Sequence, residues 1–194
     1  MTAQVNSLAR LTGTLAGLGV PHMLTGGLAA NVWGEPRPIQ GIDVTVWVEE
    51  AEIPRVISAF ADSRDLRPPP KNPGAFVRET RVLPLQGPEN VPIAVVFGLM
   101  PLEEDAIRRA VRRTICGVDV PVCPPEDLIL HLLVSSGRGL GGAVEGILRR
   151  QRDALDFDWL EPRIAELSRE IHPDIGPHWT VLTEPYRSVG PPRS

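Results

Sequence analysis

Of 20 basic side chains only Lys71 is a lysine, and set against 24 acidic residues they leave a formal net charge of −4 and a pI near 5.6. The arginine excess fits a GC-rich coding sequence, and this charge balance argues against a long groove that tracks a phosphate backbone, though a local arginine pocket remains compatible with it. Cysteine is nearly as scarce. Cys116 and Cys123 are the only two, too few for a disulfide framework, and "GVDVPV" between them reads as a strand or hairpin rather than a metal knuckle; both are expected to be reduced core residues. No long apolar run occurs either. "VPIAVVFGLMPL" is broken by proline and glycine and is too short to span a bilayer, and the N-terminal "MTAQVNSLARLTGTL" lacks the continuous apolar stretch of a secretory signal. A cytoplasmic protein is expected. What the chain does have is 194 residues, 42% of them hydrophobic, enough to bury one sizeable core with an appendage.

Val5, Leu8, Leu11, Leu15 and Leu18 recur at helical spacing and Gly19 follows as a stop signal. "VPHML" reads as a short strand, Gly26-Gly27 as a tight turn, and "LAANVW" as a helix of under two turns. In "GIDVTVWVEE" the residues Ile42, Val44, Val46 and Val48 alternate with Gly41, Asp43, Thr45 and Trp47, the pattern of a strand with one aliphatic face. A helix is expected from Ile53 to Ala61, then a loop over "DLRPPPKNPG", then strands over "AFVRETRVLPL" and "VPIAVVFG" joined by "QGPEN". "LEEDAIRRAVRR" reads as one helix after Pro101, acidic at its start and basic at its end, with a solvated face. From Pro124 the pattern is helical: "PPEDLILHLLVSS", "GAVEGILRRQRD" after the glycine cluster "GRGLGG", and "DFDWLEPRIAELSREI" with Asp156 or Asp158 as its N-cap. The prolines beyond His172 predict an irregular arm, ordered only where Trp179 or Tyr186 docks. The expected organisation is an α/β domain over residues 1–123, a helical segment over 124–171 packed on it, and a Pro-rich arm over 172–194.

Helix, strand, "TGG", short helix, "GEPRPIQGID", strand and later "EDLIL" on a helix, in this order, resemble the minimal nucleotidyltransferases of the DNA polymerase beta superfamily, in particular the abortive-infection type toxin nucleotidyltransferases. The resemblance runs from about Val5 to Leu167 and implies an α/β (α+β) fold: a mixed sheet flanked by helices, followed by a small helical segment. It also implies that Gly26 and Gly27 form the turn whose backbone N–H groups approach nucleotide phosphates, glycine being needed because a side chain would block the approach. The family's activity uses two aspartates at alternate strand positions and a third on a neighbouring strand to hold two divalent metals.

Here Asp43 matches, but Gly41 stands at the first position of the pair and Ala94 at the third aspartate, and Leu132 replaces the usual lysine. One carboxylate is a poor cage for two hard cations. Glu35, Glu79 and Glu89 could stand in as substitute acids; Glu49 is too far along the strand. The expectation is therefore a repurposed cleft with no metal and no cofactor. It would bind a small, mostly apolar molecule and could transform it by acid–base chemistry at Asp43, the catalytic candidate. Gly26, Gly27, Trp33, Arg37, Trp47, Arg78 and His131 are the candidate ligand-binding residues, with Trp47 and Trp33 around the Asp43 opening and the arginines in the former phosphate region. His131, like His22, reads more readily as a packed histidine than as a catalyst. Two alternatives stay open: a metal-dependent toxin-type nucleotidyltransferase using Asp43 with a substitute acid, and a non-catalytic interaction module. The expected partner is a small molecule, with no long nucleic acid and no membrane; a protein partner or a homo-oligomer is left open.

Overall fold

A computed structural model describes residues 2–63, 65–68, 71–135 and 141–187. The chain divides into two compact units, one of residues up to Ala29 together with Pro38–Pro124, the other of Ala30–Arg37 together with the chain from Pro125 on. Among the described residues no helix is long and apolar enough to cross a membrane.

The first unit is built on a six-stranded mixed sheet in the order β3-β4-β2-β1-β6-β5, with β1 His22–Thr25, β2 Ile42–Val46, β3 Val82–Gln86, β4 Pro92–Phe97, β5 Val111–Ile115 and β6 Val118–Val122. Helix α1, Thr2–Gly17, buries the leucine stripe Leu8, Leu11 and Leu15. Gly19 ends it at φ +67°, and the Gly19 and Val20 N–H groups donate to Ala16 and Leu15, a left-handed cap that glycine adopts without a Cβ penalty. β1 runs antiparallel to β2 and parallel to β6, while β2 runs parallel to β4. Ile42, Val44 and Val46 are fully buried, as the alternation predicts. Thr45 on the opposite face is buried too, so β2 is covered on both sides.

Three readings of this unit need correcting. "AFVRETRVLPL" is not one strand: Pro73–Thr80 is helix α4, following α3 at Ile53–Ala61, and only Val82 onward is β3. The Asn72 side chain accepts from the Ala75 N–H at 3.0 Å, Pro73 opens the helix, and Arg81 closes it at φ +60°, so capping outweighs β-branched composition. Likewise "LEEDAIRRAVRR" is helix only over α5, Pro101–Arg108; Val111 starts β5. The Glu103 carboxylate reaches back to the Leu99 and Met100 N–H groups at 2.7 and 3.1 Å, fixing where α5 begins. Cys116 is exposed rather than in the core. It shares with Gly117 a two-residue hairpin turn, at φ +49° and +84°, the paired positive values that match the twist of the flanking strands. Cys123 is buried, and neither cysteine is in a disulfide.

The 3-10 turns Glu50–Glu52 and Pro88–Asn90 complete the first unit. Helix α2, Gly26–Trp33, starts in it and ends in the second, which otherwise holds α6 Pro125–Ser135, α7 Gly141–Gln151, α8 Phe157–Glu170 and α9 Ile175–Arg187. The Asp156 side chain caps α8 by accepting from the Trp159 N–H at 2.9 Å, and Pro162 sits early in the helix. Residues 137–140 of the glycine cluster and 188–194 of the expected arm lie outside the described residues. The rest of that arm is corrected from irregular to helical. Pro177 falls in the first turn of α9, where no intrahelical N–H is needed, and Ile175, Trp179 and Leu182 form a buried stripe. Trp179 packs against Phe157 with ring centroids 6.2 Å apart. Trp179→Ala is expected to lower stability by about 3–5 kcal/mol, read from urea denaturation; a change under about 0.5 kcal/mol would mean that α9 contributes no packing.

Candidate functional site

The site starts at the end of β1. Thr25 pairs with Asp43 across the antiparallel β1–β2 ladder, and Asp43 pairs with Ala94 across the parallel β2–β4 ladder. The three side chains therefore line up across one face of the sheet. Beyond Thr25 the backbone turns sharply at Gly26, which has φ +62°, and a Cβ there would overlap the Asp43 carboxylate. The Gly27 N–H donates toward that carboxylate, and a Cβ on Gly27 would stand 3.2 Å from the Ile39 Cγ2. Two glycines thus let the start of α2 press onto the acid.

Asp43 is half-buried. Burial pushes its carboxyl above the ordinary aspartate range, and the Gly27 N–H pulls it part of the way back. Gly41, two residues earlier, has no room for a side chain: a Cβ there would lie 2.6 Å from the Pro92 carbonyl oxygen. One carboxylate, a methyl group at Ala94 and a threonine at Thr25 do not fit the oxygen-rich cage that a pair of divalent cations requires. Among the described residues no group of three or more His, Cys, Asp and Glu could hold a metal ion. The substitute acids do not fill the gap. Glu35 is engaged by Arg149 at 2.7 Å within the second unit, Glu79 is exposed on α4, and Glu89 is exposed in the β3–β4 turn at φ +55°. Glu49 lies beyond the end of β2.

The expected ligand-binding residues separate. Gly26 and Gly27 meet Asp43. Trp47 does not: it shares the face of Asp43 and Thr45, but four residues along an extended strand is about 13 Å, and it lies against Pro21 and His22 at the opposite end of β1, correcting the expectation that it borders the Asp43 opening. Arg78 is exposed, its guanidinium folded back over Gly74 of its own helix. Trp33, Arg37 and His131 belong to the second unit. There Trp33 is buried and its carbonyl accepts from Gln151, Arg37 exchanges two hydrogen bonds with Asn31 and lies over Gly142, and His131 is half-buried on α6. Two features escaped the sequence reading, the packing of Gly41 on Pro92 and a cavity beside Trp47. Only the parallel register between β2 and β4 brings Pro92 to Gly41, and no local pattern encodes it.

The fold of the chain is found again in solved structures. An antigenic nucleotidyltransferase-like protein from Paracoccidioides brasiliensis superimposes with a TM-score of 0.56 at 16% identity, over 91% of this chain and 92% of that one. The chain has a nucleotidyltransferase fold. Other nucleotidyltransferase-fold neighbours are the lincosamide antibiotic adenylyltransferase LnuA in its lincomycin-bound form, with a TM-score of 0.50 at 13% identity over 77% of this chain and 97% of that one, and the antibiotic-resistance factor ANT(2'')-Ia, with a TM-score of 0.51 at 13% identity over 97% and 99%. No protein-family model and no curated protein sequence matches the chain. At these identities the likeness concerns the nucleotidyltransferase fold alone.

The raised Asp43 titration has a measurable consequence. The folded state holds the Asp43 proton more tightly than the unfolded chain, so its contribution to stability falls as pH rises from the unfolded value through the folded one, then levels off. Asp43→Asn keeps an acceptor for the Gly27 N–H and carries no charge. It is expected to be more stable than wild type at pH 7 and equal to it near about pH 3, in urea titrations across that range. A wild type as stable as the variant at pH 7 would contradict a buried charge here.

Proposed function

We propose that this nucleotidyltransferase-fold protein no longer transfers nucleotides by the two-metal route, and that the cleft at the Gly26-Gly27 bend binds a small, mostly apolar molecule on which Asp43 acts as a general acid or base. The reading rests on one observation: neither residue that flanks Asp43 in the two ladders, Thr25 or Ala94, brings a second carboxylate, while the position two residues back is closed by the Pro92 carbonyl. A hard divalent ion asks for six or more oxygens, several of them anionic. A lone carboxyl in a partly dry setting is instead suited to proton transfer, because loss of hydration brings its two protonation states closer at neutral pH.

The bend supports this role. The Gly27 N–H orients the carboxyl and leaves lone pairs for a substrate proton, and the Ile39 side chain over Gly27 makes the neighbouring ground apolar. A fold neighbour bound to lincomycin, a small molecule, is in keeping with a ligand of that size in a cleft of this fold.

The test combines two assays on the full chain. With labelled ATP and Mg²⁺ or Mn²⁺, no label is expected to pass to protein, RNA or small acceptors. A thermal-shift screen of small apolar metabolites in EDTA is expected to give ligands that stabilise the protein, and with such a ligand Asp43→Asn should keep the stabilisation while losing any turnover. Metal-dependent transfer of the label that Asp43→Asn abolishes would overturn the proposal in favour of a working nucleotidyltransferase.

A further inference from the structure

A cavity of the first unit, 590 Å³ in volume, lies at the other end of the sheet face from Asp43. Ala16, Val20, Pro21, Ile107, Ala110 and Pro121 give it a carbon-rich lining, into which Trp47, His22, Glu104, Arg108 and Arg112 bring an aromatic face and polar groups. The size is that of sites for small organic ligands, which are mostly apolar with a few placed polar groups.

Three of these side chains are prepared for a ligand. Trp47 is held by its backbone N–H donating to the Pro21 carbonyl at 3.0 Å, and its ring is seated on Gly98, where a Cβ would come within 2.9 Å of Cε3. The indole is thus fixed before anything binds. His22 donates from Nδ1 to the Val20 carbonyl at 2.8 Å, and burial and the nearby Arg112 charge hold the ring neutral. That tautomer leaves Nε2 as an acceptor. Arg112 stands opposite Pro121 in the β5–β6 ladder and has no ion-pair partner among the described residues, whereas Arg108 is paired with Asp105.

From this arrangement we infer that the cavity between α1, α5 and the β5–β6 hairpin is a second ligand site, which takes a small aromatic carboxylate that also carries a hydroxyl or N–H donor. The ring stacks on Trp47 and fills the apolar lining, the carboxylate meets Arg112 in a charge-assisted hydrogen bond, and the donor makes a hydrogen bond to the His22 Nε2. Glu104 at the rim disfavours a dianion. The inference does not rest on the chemistry proposed at Asp43, because none of the residues at that bend lines this cavity.

Calorimetry with 4-hydroxyphenylacetate, its methyl ester and phenylacetate on the full chain tests it. The hydroxylated acid is expected to bind saturably, the ester about tenfold more weakly, and phenylacetate more weakly than its hydroxylated relative. Arg112→Gln, an exposed edge-strand change that should leave the melting curve intact, is expected to weaken the acid about tenfold and to leave the ester unchanged. Trp47→Leu should weaken both, and Asp43→Asn neither. An ester as tight as the acid, an unaffected Arg112→Gln variant, a loss in Asp43→Asn equal to that in Arg112→Gln, or no saturable binding of either acid would overturn the proposal.

Discussion

At Gly26 the backbone enters the left-handed region, and the space a side chain would take is filled by the Asp43 carboxylate. Any other residue there meets two separate obstacles, the unfavourable φ and the overlap with the acid. The contact ties three elements together. It sets where β1 ends, where α2 begins, and which residue of β2 stands at the bend, because Thr25 and Asp43 are register partners. A one-residue slip between β1 and β2 would turn Asp43 to the other face and bring Ile42 or Val44 under the glycine. Burial of Ile42, Val44 and Val46, at roughly 1.5–3 kcal/mol each, holds the register that keeps this acid in place.

The same register explains why the bend alone does not make a two-metal site. Parallel pairing of β2 with β4 puts Ala94 beside Asp43 and brings Pro92 up to Gly41. In a sheet the side chains on one face act as a set, so a metal cage needs acids at several register positions at once. Position 41 serves packing: with no Cβ, it lets the Pro92 carbonyl approach. Adding an aspartate there would have to displace the start of β4, a backbone rearrangement, before it could add a ligand.

How much of this could be read in advance depended on whether the cause was local. The leucine stripe of α1 with its glycine stop, the alternation in β2, and the pieces "TGG", "GID" and "EDLIL" are each written within a few residues, and their order led to the nucleotidyltransferase fold. The misread pieces turn on single atoms. One accepting oxygen on Asn72 makes Pro73–Thr80 a helix although Phe76 and Val77 favour a strand. The Cys116–Gly117 turn hides because cysteine is not a usual first residue of such a bend, so the arginines before it read as helix. In α9 the prolines outweighed a visible signal, the i, i+4, i+7 stripe of Ile175, Trp179 and Leu182, although Pro177 sits where helices accept proline. Trp47 was misplaced for a different reason. Parity along β2 told its face, but alternation carries no information about distance along the strand.

That distance gives the two ends of the sheet different chemistry. Asp43, Thr45 and Trp47 lie on one face of the chain through β2, with Thr25 and Met23 beside them on β1; Met23, Thr25 and Thr45 are buried, while the acid and the indole are partly exposed at either end. The buried middle separates them, and each end draws on different elements. The Asp43 end is shaped by the glycine bend, and its carboxyl is pushed up by burial, with no arginine among the causes that shift it. The Trp47 end gathers α5 and the β5–β6 hairpin, which bring Arg108 and Arg112. A carboxylate ligand is therefore favoured at the indole end and opposed at the acid end, where a second negative charge would meet Asp43 in a weakly screened setting. If both proposed sites bind, opposite electrostatic preferences on one strand face would sort their ligands by charge before any fit of shape is considered.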